Sequence, residues 1–208
     1  MPISTAVLTC IACYFLGNHN GAVCISAMLH DDVRNHGSGN AGLTNFIRNY
    51  GASRSILVIL IDVLKAVLSC LLAGAVFAPY GLRLEGMVLG SISLMLGHDF
   101  PILLGLRGGK GILSGWFIAW CIDWRVGILI AIVFFAAYFL THYVSLGSIL
   151  AAVTFGIGFA IFHHDNLLVV VGCGFMAALT VYQHRGNLVR LIKGQERKTN
   201  LFALGKKQ

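Results

Sequence analysis

The sequence predicts an all-α integral membrane protein with about seven transmembrane helices. One observation is composition: 57% of the 208 residues are hydrophobic and 11% are charged, whereas soluble domains carry about 25% charged residues. The second is that the apolar residues form long runs separated by short polar inserts. The third is that Lys and Arg gather in alternate inserts. Together these features exclude a disordered chain, a collagen-like chain and an ordinary soluble enzyme.

The predicted segments are 3–29, 55–78, 86–96, 112–122, 126–140, 143–162 and 167–182. A span needs about 20 residues, so we expect 86–96 and 112–122 to be tilted, broken or extended into their neighbours. A five-span alternative merges the short segments and keeps the same termini. The first segment lacks the basic start of a secretory signal, so we expect it to be retained. Its polar interruption at 17–21 is typical of a break that faces protein or a cavity.

The distribution of basic residues predicts the orientation. One set of alternate inserts comprises 30–54, 97–111, 141–148 and the tail 183–208. This set holds 12 of the 15 Lys and Arg residues, whereas the opposite loops hold Arg83 and Arg125, and Lys65 lies inside a span. The excess predicts a cytoplasmic C-terminus and an outside N-terminus, in a single polytopic domain over residues 1–208. The net charge of +7 then reflects topology, and we expect no nucleic-acid partner.

The first insert combines Gly37, Gly39 and Gly42 with hydroxyl and amide side chains. Small residues before a helix let backbone N–H groups approach an anion. We expect Thr44 and Asn45 to cap such a helix, and Arg48, one turn later, to close on a phosphate. A solvated turn is the alternative for this insert.

The second insert places glycines around Lys110. It is not a nucleotide P-loop, because Leu104 and Gly111 stand where that motif requires Gly and Ser or Thr. The insert therefore predicts a binding site for a phosphate ligand smaller than a nucleotide. The alternative is a basic loop that contacts lipid headgroups.

The third insert repeats His184, Asn187 and Leu191 at helical spacing, which puts His184 and Asn187 on one face. Histidine suits proton transfer near neutral pH. An interfacial tail that binds anionic lipid is the alternative. A fourth, shorter insert at 141–148 contains Ser145 and lies on the same predicted side.

Taken together, the inserts closely resemble the three signature motifs of the bacterial acyl-phosphate:glycerol-3-phosphate acyltransferases, the PlsY family. The first motif is His36-Gly37-Ser38-Gly39-Asn40 with Thr44-Asn45 and Arg48. The second is Gly97-His98 with Phe100-Pro101 and Gly108-Gly109-Lys110-Gly111. The third is His184-Arg185 with Asn187, Arg190-Leu191, Gly194 and Glu196. The resemblance covers residues 30–197.

The resemblance implies a membrane enzyme that transfers a fatty acyl group from acyl-phosphate to the 1-hydroxyl of glycerol 3-phosphate. The products would be lysophosphatidic acid and inorganic phosphate, in the first step of bacterial phospholipid synthesis. It implies no CoA thioester, no cofactor and no metal, and a site that faces the cytoplasm from the cytoplasmic membrane. Membrane lipid would surround the protein, which we expect to be a monomer.

The resemblance also implies site residues. The catalytic set is Ser38, His184 and Asn187. The substrate-binding set is Asn40, Thr44, Asn45, Arg48, Gly108, Gly109, Lys110, Gly111 and Ser145. Glu196 would be structural. The chain departs from the family pattern at Gly17–Asn20, which leaves the role of that break open.

Several alternatives stay open from sequence. In one alternative, His184 takes the proton of the attacking hydroxyl. In the other, the departing phosphate takes that proton and His184 only orients a substrate. We favour the second, because no carboxylate in the motifs is placed to fix the tautomer of His184. Ser38 as a covalent nucleophile is a third route.

Two other functions also stay open: a transporter for a phosphorylated solute and an acyl-CoA-dependent acyltransferase. Asp62 and Lys65 share a helix face and would form a structural pair or brace the site. We expect His163 and His164 to form a solvated turn.

Overall fold

The structure is a computed structural model that describes residues 1–201. In this part of the chain there are ten α-helices and three short 3-10 turns, with no strand. The helices are α1 (Ile3–Asn18), α2 (Gly21–Met28), α3 (Leu43–Tyr50), α4 (Ala52–Phe77), α5 (Arg83–Asp99), α6 (Ile112–Ile122), α7 (Trp124–Thr141), α8 (Val144–Phe162), α9 (Leu167–Gln183) and α10 (Arg185–Ile192). The all-helical class is therefore confirmed, while Lys206 and Lys207 of the predicted basic tail lie outside the described residues.

The helices account for the seven apolar segments with different lengths from those predicted. Among residues 1–201, four stretches are long and apolar enough to cross a bilayer, and two bent pairs bring the number to six: α1 with α2, bent by 44°, and α9 with α10, bent by 55°. The segment predicted at 86–96 belongs to a 22-residue stretch, Arg83–Leu104, so it extends into its neighbours. By contrast, α6 has 11 residues, and a count of seven full spans stays a prediction.

Helix α4 shows the arrangement typical of a membrane span. The side chains of Leu57, Leu60, Leu64 and Leu68 are about half exposed, at helical spacing along one face. The opposite face buries polar side chains, with Asp62 and Lys65 among them. Because apolar groups point outward and charged groups inward, this helix suits a lipid surround.

The polar break between α1 and α2 is closed by an ion pair from α4. Asp62 Oδ1 accepts a hydrogen bond from the Gly21 N–H (3.2 Å) and lies 2.8 Å from Lys65 Nζ. Lys65 Nζ donates in turn to the His19 carbonyl (2.9 Å). A helix N-terminus exposes N–H groups and a C-terminus exposes carbonyls, so each charge faces the dipole end of opposite sign. The pair therefore braces the broken first span, a role that the sequence left open.

Helices α1 and α5 approach each other at two glycines. A Cβ on Gly17 would stand 2.2 Å from the Leu94 carbonyl oxygen, and one on Gly97 would stand 2.0 Å from that of Tyr14. The two backbones are thus in direct contact, as small residues permit in membrane bundles. This contact sets the position of the C-terminal end of α5, which leads into the second insert.

Helix α5 has a central position in the bundle, where it packs against α1, α4 and α9. Helix α8 packs between α7 and α9. The short α6 contacts α4, α5, α7 and α8, and it lines the cavity described below together with α7 and α8.

His163 is not part of a solvated turn, contrary to the prediction. Its Nε2 lies 3.0 Å from Asp123 Oδ2, and Asp123 also pairs with Arg125 (2.6 Å) and caps the start of α7. His163 thus ties the end of α8 to the turn between α6 and α7, whereas His164 is exposed.

Candidate active site

A single large cavity of about 1050 Å³ contains most of the predicted site residues. Its polar lining comes from all four inserts, and its apolar lining comes from the interior of α6 to α9. The main apolar lining residues are Trp116, Phe117, Ile130, Phe134, Phe135 and Phe155. The volume lies at the upper end of the range for small-molecule sites, and the lining suits a ligand with one charged and one apolar part.

Asn45 holds the first insert together. Its Nδ2 donates to the carbonyls of Val33, His36 and Asn40, each at 3.0 Å. Its Oδ1 accepts from the Ser38 N–H at 3.0 Å. The side chain is buried and borders the cavity, with its amide donors engaged inside the loop, so its predicted role in substrate binding stays a prediction. It shapes the loop that presents Ser38.

Three other predicted site residues of the first insert lie at the cavity, as expected. Ser38, Asn40 and Thr44 border the cavity, and the Ser38 hydroxyl makes no hydrogen bond within residues 1–201. The expected side-chain cap is wrong, because α3 begins after Gly42 without a capping side chain. Gly37 has φ of +60°, and a Cβ there would stand 2.4 Å from Asn45 Oδ1, so glycine is required at this turn.

Arg48 borders the cavity and is held from behind by the chain's own tail. Its Nε donates to Thr199 Oγ1 at 3.0 Å, its Nη2 contacts the same oxygen, and Nη2 also reaches the Arg197 carbonyl at 3.5 Å. Burial lowers the pKa of the Arg48 guanidinium from its ordinary value. Within residues 1–201 Nη1 makes no hydrogen bond, so it remains available to a ligand.

The glycine loop of the second insert rests on the end of α5. Gly109 N–H donates to the His98 carbonyl at 3.0 Å. A Cβ on Gly108 would stand 2.0 Å from that oxygen, and one on Gly109 would stand 2.1 Å from His98 Nε2. Neither glycine borders the cavity, whereas Lys110 and Gly111 do. The predicted binding role thus fits Lys110 and Gly111, and the other two glycines permit close packing.

Lys110 extends from this loop to the third motif, where its Nζ contacts Asn187 Oδ1. Burial lowers the pKa of Lys110 to about 8, and the nearby charge of Arg190 adds to that effect. The ammonium is therefore charged at neutral pH and is desolvated, which strengthens its interaction with an anion.

Glu196 organises the third motif. Its Oε1 accepts hydrogen bonds from Ser145 Oγ (3.0 Å) and Asn187 Nδ2 (2.8 Å), and its Oε2 accepts from Arg190 Nε (2.8 Å). Burial opposes ionisation, but the hydrogen bonds outweigh it and hold the pKa of Glu196 below its ordinary value. This geometry suits the structural role implied for Glu196. It also occupies Ser145, which borders the cavity.

The imidazole of His184 is oriented by the backbone of its own helix. Its Nδ1 lies 2.8 Å from the Thr180 carbonyl oxygen, so Nδ1 carries the proton and Nε2 is left as an acceptor. The side chain is buried and borders the cavity. A backbone carbonyl therefore fixes the tautomer, where the sequence reasoning looked for a carboxylate.

Three contributors were missed by sequence reasoning. Thr199 carries no motif signal. Arg34 ties the first insert to the second, since its Nη1 donates to the Leu104 carbonyl at 2.8 Å. Asp99 is buried and neither of its carboxylate oxygens makes a hydrogen bond in the described residues, and its Oδ1 would lie 3.5 Å from a Cβ on Gly111. In residues 1–201 no three His, Cys, Asp or Glu side chains are grouped to hold a metal ion.

Comparisons with known proteins identify the family of the chain. A protein-family model described as glycerol-3-phosphate acyltransferase matches residues 7–194. A glycerol-3-phosphate acyltransferase of Thermoanaerobacter sp. (strain X514) is 36% identical over 194 residues, which cover 93% of this chain and 95% of the relative. One of Shouchella clausii (strain KSM-K16) is 36% identical over 210 residues, with 99% and 98% covered.

Two solved structures are also similar. Both are crystal structures of PlsY (YgiH), described as an integral membrane glycerol 3-phosphate acyltransferase. The glycerol 3-phosphate form is 29% identical with a TM-score of 0.85, and the alignment covers 94% of this chain and 96% of that chain. The lysophosphatidic acid form is 28% identical with a TM-score of 0.82 and the same coverage.

Proposed function

The chain belongs to the glycerol-3-phosphate acyltransferase family, and from that premise we propose that its cavity joins an acyl-phosphate to glycerol 3-phosphate. The products are lysophosphatidic acid and inorganic phosphate. The family is one of acyltransferases, so it argues against the transporter alternative.

The observation that carries the proposal is the continuity of charged and apolar lining in one cavity. Arg48 and Lys110 border it together with the aromatic side chains of α6 to α8. Both proposed substrates carry phosphate, and the donor also carries a long apolar chain. The basic side chains suit the two phosphates, and the aromatic section suits the acyl chain.

The reaction needs no covalent enzyme intermediate. The 1-hydroxyl oxygen of glycerol 3-phosphate attacks the acyl carbonyl carbon, a new C–O bond forms, and the bond from that carbon to the phosphate oxygen breaks. The hydroxyl proton leaves on the released phosphate. Because the mixed anhydride is already activated, positioning of the two substrates supplies much of the rate.

The third motif supplies the positioning. His184 orients glycerol 3-phosphate: its Nε2 accepts a hydrogen bond from the 2-hydroxyl, which does not react, since Nδ1–H is committed to the Thr180 carbonyl. Asn187 is aligned by Glu196 through its Nδ2 and contacts Lys110 through its Oδ1. It therefore holds the Lys110 ammonium near the transferred group, where that charge opposes the negative charge that develops.

Ser38 acts as a binding residue in this proposal. A serine nucleophile needs a base within hydrogen-bond distance, and within residues 1–201 the Ser38 hydroxyl contacts none. The nearby His36 is engaged by Asp31, with Nε2 2.9 Å from Oδ1. The hydroxyl is therefore free to bond a substrate oxygen.

Acyl-phosphate is proposed over an acyl-CoA for two reasons. The soluble and peripheral glycerol-phosphate acyltransferases carry a His followed by an Asp five positions later, and no His in this chain does so. The basic residues at the cavity also match two compact phosphates without a further nucleotide-binding loop.

The distribution of basic residues supports a site that faces the cytoplasm from the cytoplasmic membrane. We propose that the enzyme works there as a monomer. A C-terminal tag accessible in inside-out vesicles, and inaccessible in intact cells, would support the orientation.

The deciding experiment uses the protein purified in detergent with glycerol 3-phosphate and either palmitoyl-phosphate or palmitoyl-CoA. We expect phosphate release and lysophosphatidic acid with palmitoyl-phosphate and no product with the CoA ester. Turnover with the CoA ester alone would overturn the proposed donor. No turnover with either donor would overturn the proposed reaction.

A further inference from the structure

We propose that His98 donates a hydrogen bond from Nε2–H to a phosphate oxygen of a bound substrate, and that Lys65 is the positioning residue that fixes this proton on Nε2. The inference rests on the proposed function for the identity of the substrate. It gives roles to an intramembrane lysine and a buried histidine that the mechanism above does not use.

The hydrogen bonds of Lys65 determine the tautomer of His98. Lys65 Nζ lies 2.8 Å from Asp62 Oδ1, 2.9 Å from the His19 carbonyl oxygen and 2.7 Å from His98 Nδ1. An ammonium has three donors and no acceptor, and the Gly17 carbonyl oxygen at 3.4 Å is a fourth, longer contact of this nitrogen. His98 Nδ1 must therefore supply a lone pair, so the ring proton is on Nε2.

His98 borders the cavity, and its remaining nitrogen lies next to Gly109 of the glycine loop. His98 is 4% exposed, and its Nε2 has no hydrogen-bond partner in the described part of the chain. The missing Cβ of Gly109 would stand 2.1 Å from Nε2. Glycine at this position thus lets the loop pack close to Nε2 without placing a side chain over the N–H, and an unpartnered donor on a largely buried ring calls for an acceptor.

Position and charge identify the acceptor as an anionic oxygen. Lys110 follows Gly109 directly and places its ammonium at the same cavity. His98 itself is neutral, because a second proton on Nδ1 would face the Lys65 ammonium at 2.7 Å. It therefore adds a donor without adding a like charge, and a phosphate oxygen held by Lys110 is the chemically matched ligand.

The first test compares His98→Asn with His98→Gln. Asparagine reproduces the Nδ1 end of the ring and keeps an acceptor for Lys65, but it removes the donor to the cavity. Glutamine places an amide donor near the position of Nε2. We expect His98→Asn to raise KM at least tenfold for one substrate, with a smaller change in kcat, and His98→Gln to recover most of that loss.

KM is measured for glycerol 3-phosphate and, separately, for palmitoyl-phosphate. The substrate whose KM rises is the one whose phosphate contacts His98. The midpoint of thermal unfolding is measured for both variants in detergent. A midpoint equal to that of the wild type shows that a change in KM comes from binding and not from misfolding. Unchanged KM and kcat in His98→Asn, with normal wild-type turnover, would overturn the inference and leave the proposed function intact.

The second test reads the tautomer by ¹⁵N NMR of histidine-labelled protein, with the His98 signal assigned from its absence in His98→Asn. We expect a proton on Nε2 of His98 and, as an internal control, a proton on Nδ1 of His184. In the charge-conserving double variant Asp62→Asn/Lys65→Met, the His98 signal should become a mixture of tautomers. A wild-type His98 with its proton on Nδ1 would overturn the role of Lys65.

Inorganic phosphate added to the same sample should shift the Nε2–H signal of His98. This measurement does not depend on turnover, so it tests the donor even where the proposed reaction fails. The donor role would be overturned if the His98 signal shifted neither at saturating inorganic phosphate nor at saturating glycerol 3-phosphate.

Discussion

The hydroxyl oxygen of Thr199 lies between two nitrogens of the Arg48 guanidinium, across a sequence separation of 151 residues. Thr199 is in turn fixed by its backbone, since its N–H donates to the His142 carbonyl at 3.1 Å and its carbonyl accepts from the Tyr138 hydroxyl at 3.1 Å. Thr199 therefore supports the guanidinium of Arg48 from behind and sets its direction at the cavity.

Thr199→Val should weaken phosphate binding, because the guanidinium loses the acceptor that orients it while the side-chain shape is kept. We expect KM for glycerol 3-phosphate to rise about tenfold, a loss of ~1.4 kcal/mol, with kcat reduced less. Steady-state kinetics in detergent measures both. Thr199→Ser keeps the oxygen and serves as the control. Equal KM values in all three proteins would show that Arg48 needs no support from the tail.

The activity of the enzyme should decline at alkaline pH because Lys110 loses its proton there. The pKa of Lys110 is about 8, so the ammonium is charged below this pH and loses its proton above it. We expect kcat/KM for glycerol 3-phosphate to be highest below pH 8 and to fall as pH rises through that value. A pH–rate profile checks the expectation.

Lys110→Arg provides the contrast, since a guanidinium keeps its charge throughout the accessible range. Its profile should lose the decline near pH 8 even though its absolute rate is lower. A decline at the same pH in Lys110→Arg would assign the titration to another group.

Glu196→Gln should destabilise the protein as well as slow it. The substitution removes the charge that pairs with Arg190 and aligns Asn187, and loss of such partners costs ~1–3 kcal/mol. Thermal unfolding in detergent should show a lower midpoint than in Ser145→Ala, which removes one of the three hydrogen bonds. A midpoint equal to that of the wild type would contradict an organising role.

Gly109→Ala should abolish activity, because a Cβ there would overlap His98 and lift the loop that carries Lys110. Gly174→Ala is the matched control, since Gly174 lies on α9 with no atom within 4 Å of its absent Cβ. We expect wild-type turnover in the control and a loss of at least a hundredfold in Gly109→Ala. Similar activity in the two variants would mean that the loop adapts without cost.

Composition and the positions of the motifs were enough to predict the helical membrane class and the family. Both depend on local features: long apolar runs, and residues such as Arg48, Lys110 and His184 in recognisable patterns. The family comparison confirmed the class of enzyme, while the individual site roles stay predictions that the geometry supports to different degrees.

What the sequence could not provide are the contacts between distant segments. Only the fold shows that the amide of Asn45 bonds three carbonyls of its own loop. Gly108 and Gly109 look like a phosphate cradle until their distance to His98 is known. Thr199 has no distinguishing neighbours, and its importance comes from folding that returns the tail to α3.

The i, i+3 spacing of Asp62 and Lys65 bears on how α4 enters the bilayer. Either charge alone at the centre of a span opposes insertion by about 2.5–3.5 kcal/mol. The two side chains meet at 2.8 Å within one helix, so they neutralise each other without help from a neighbouring helix. Helix α4 is thereby able to partition into lipid as a neutral unit.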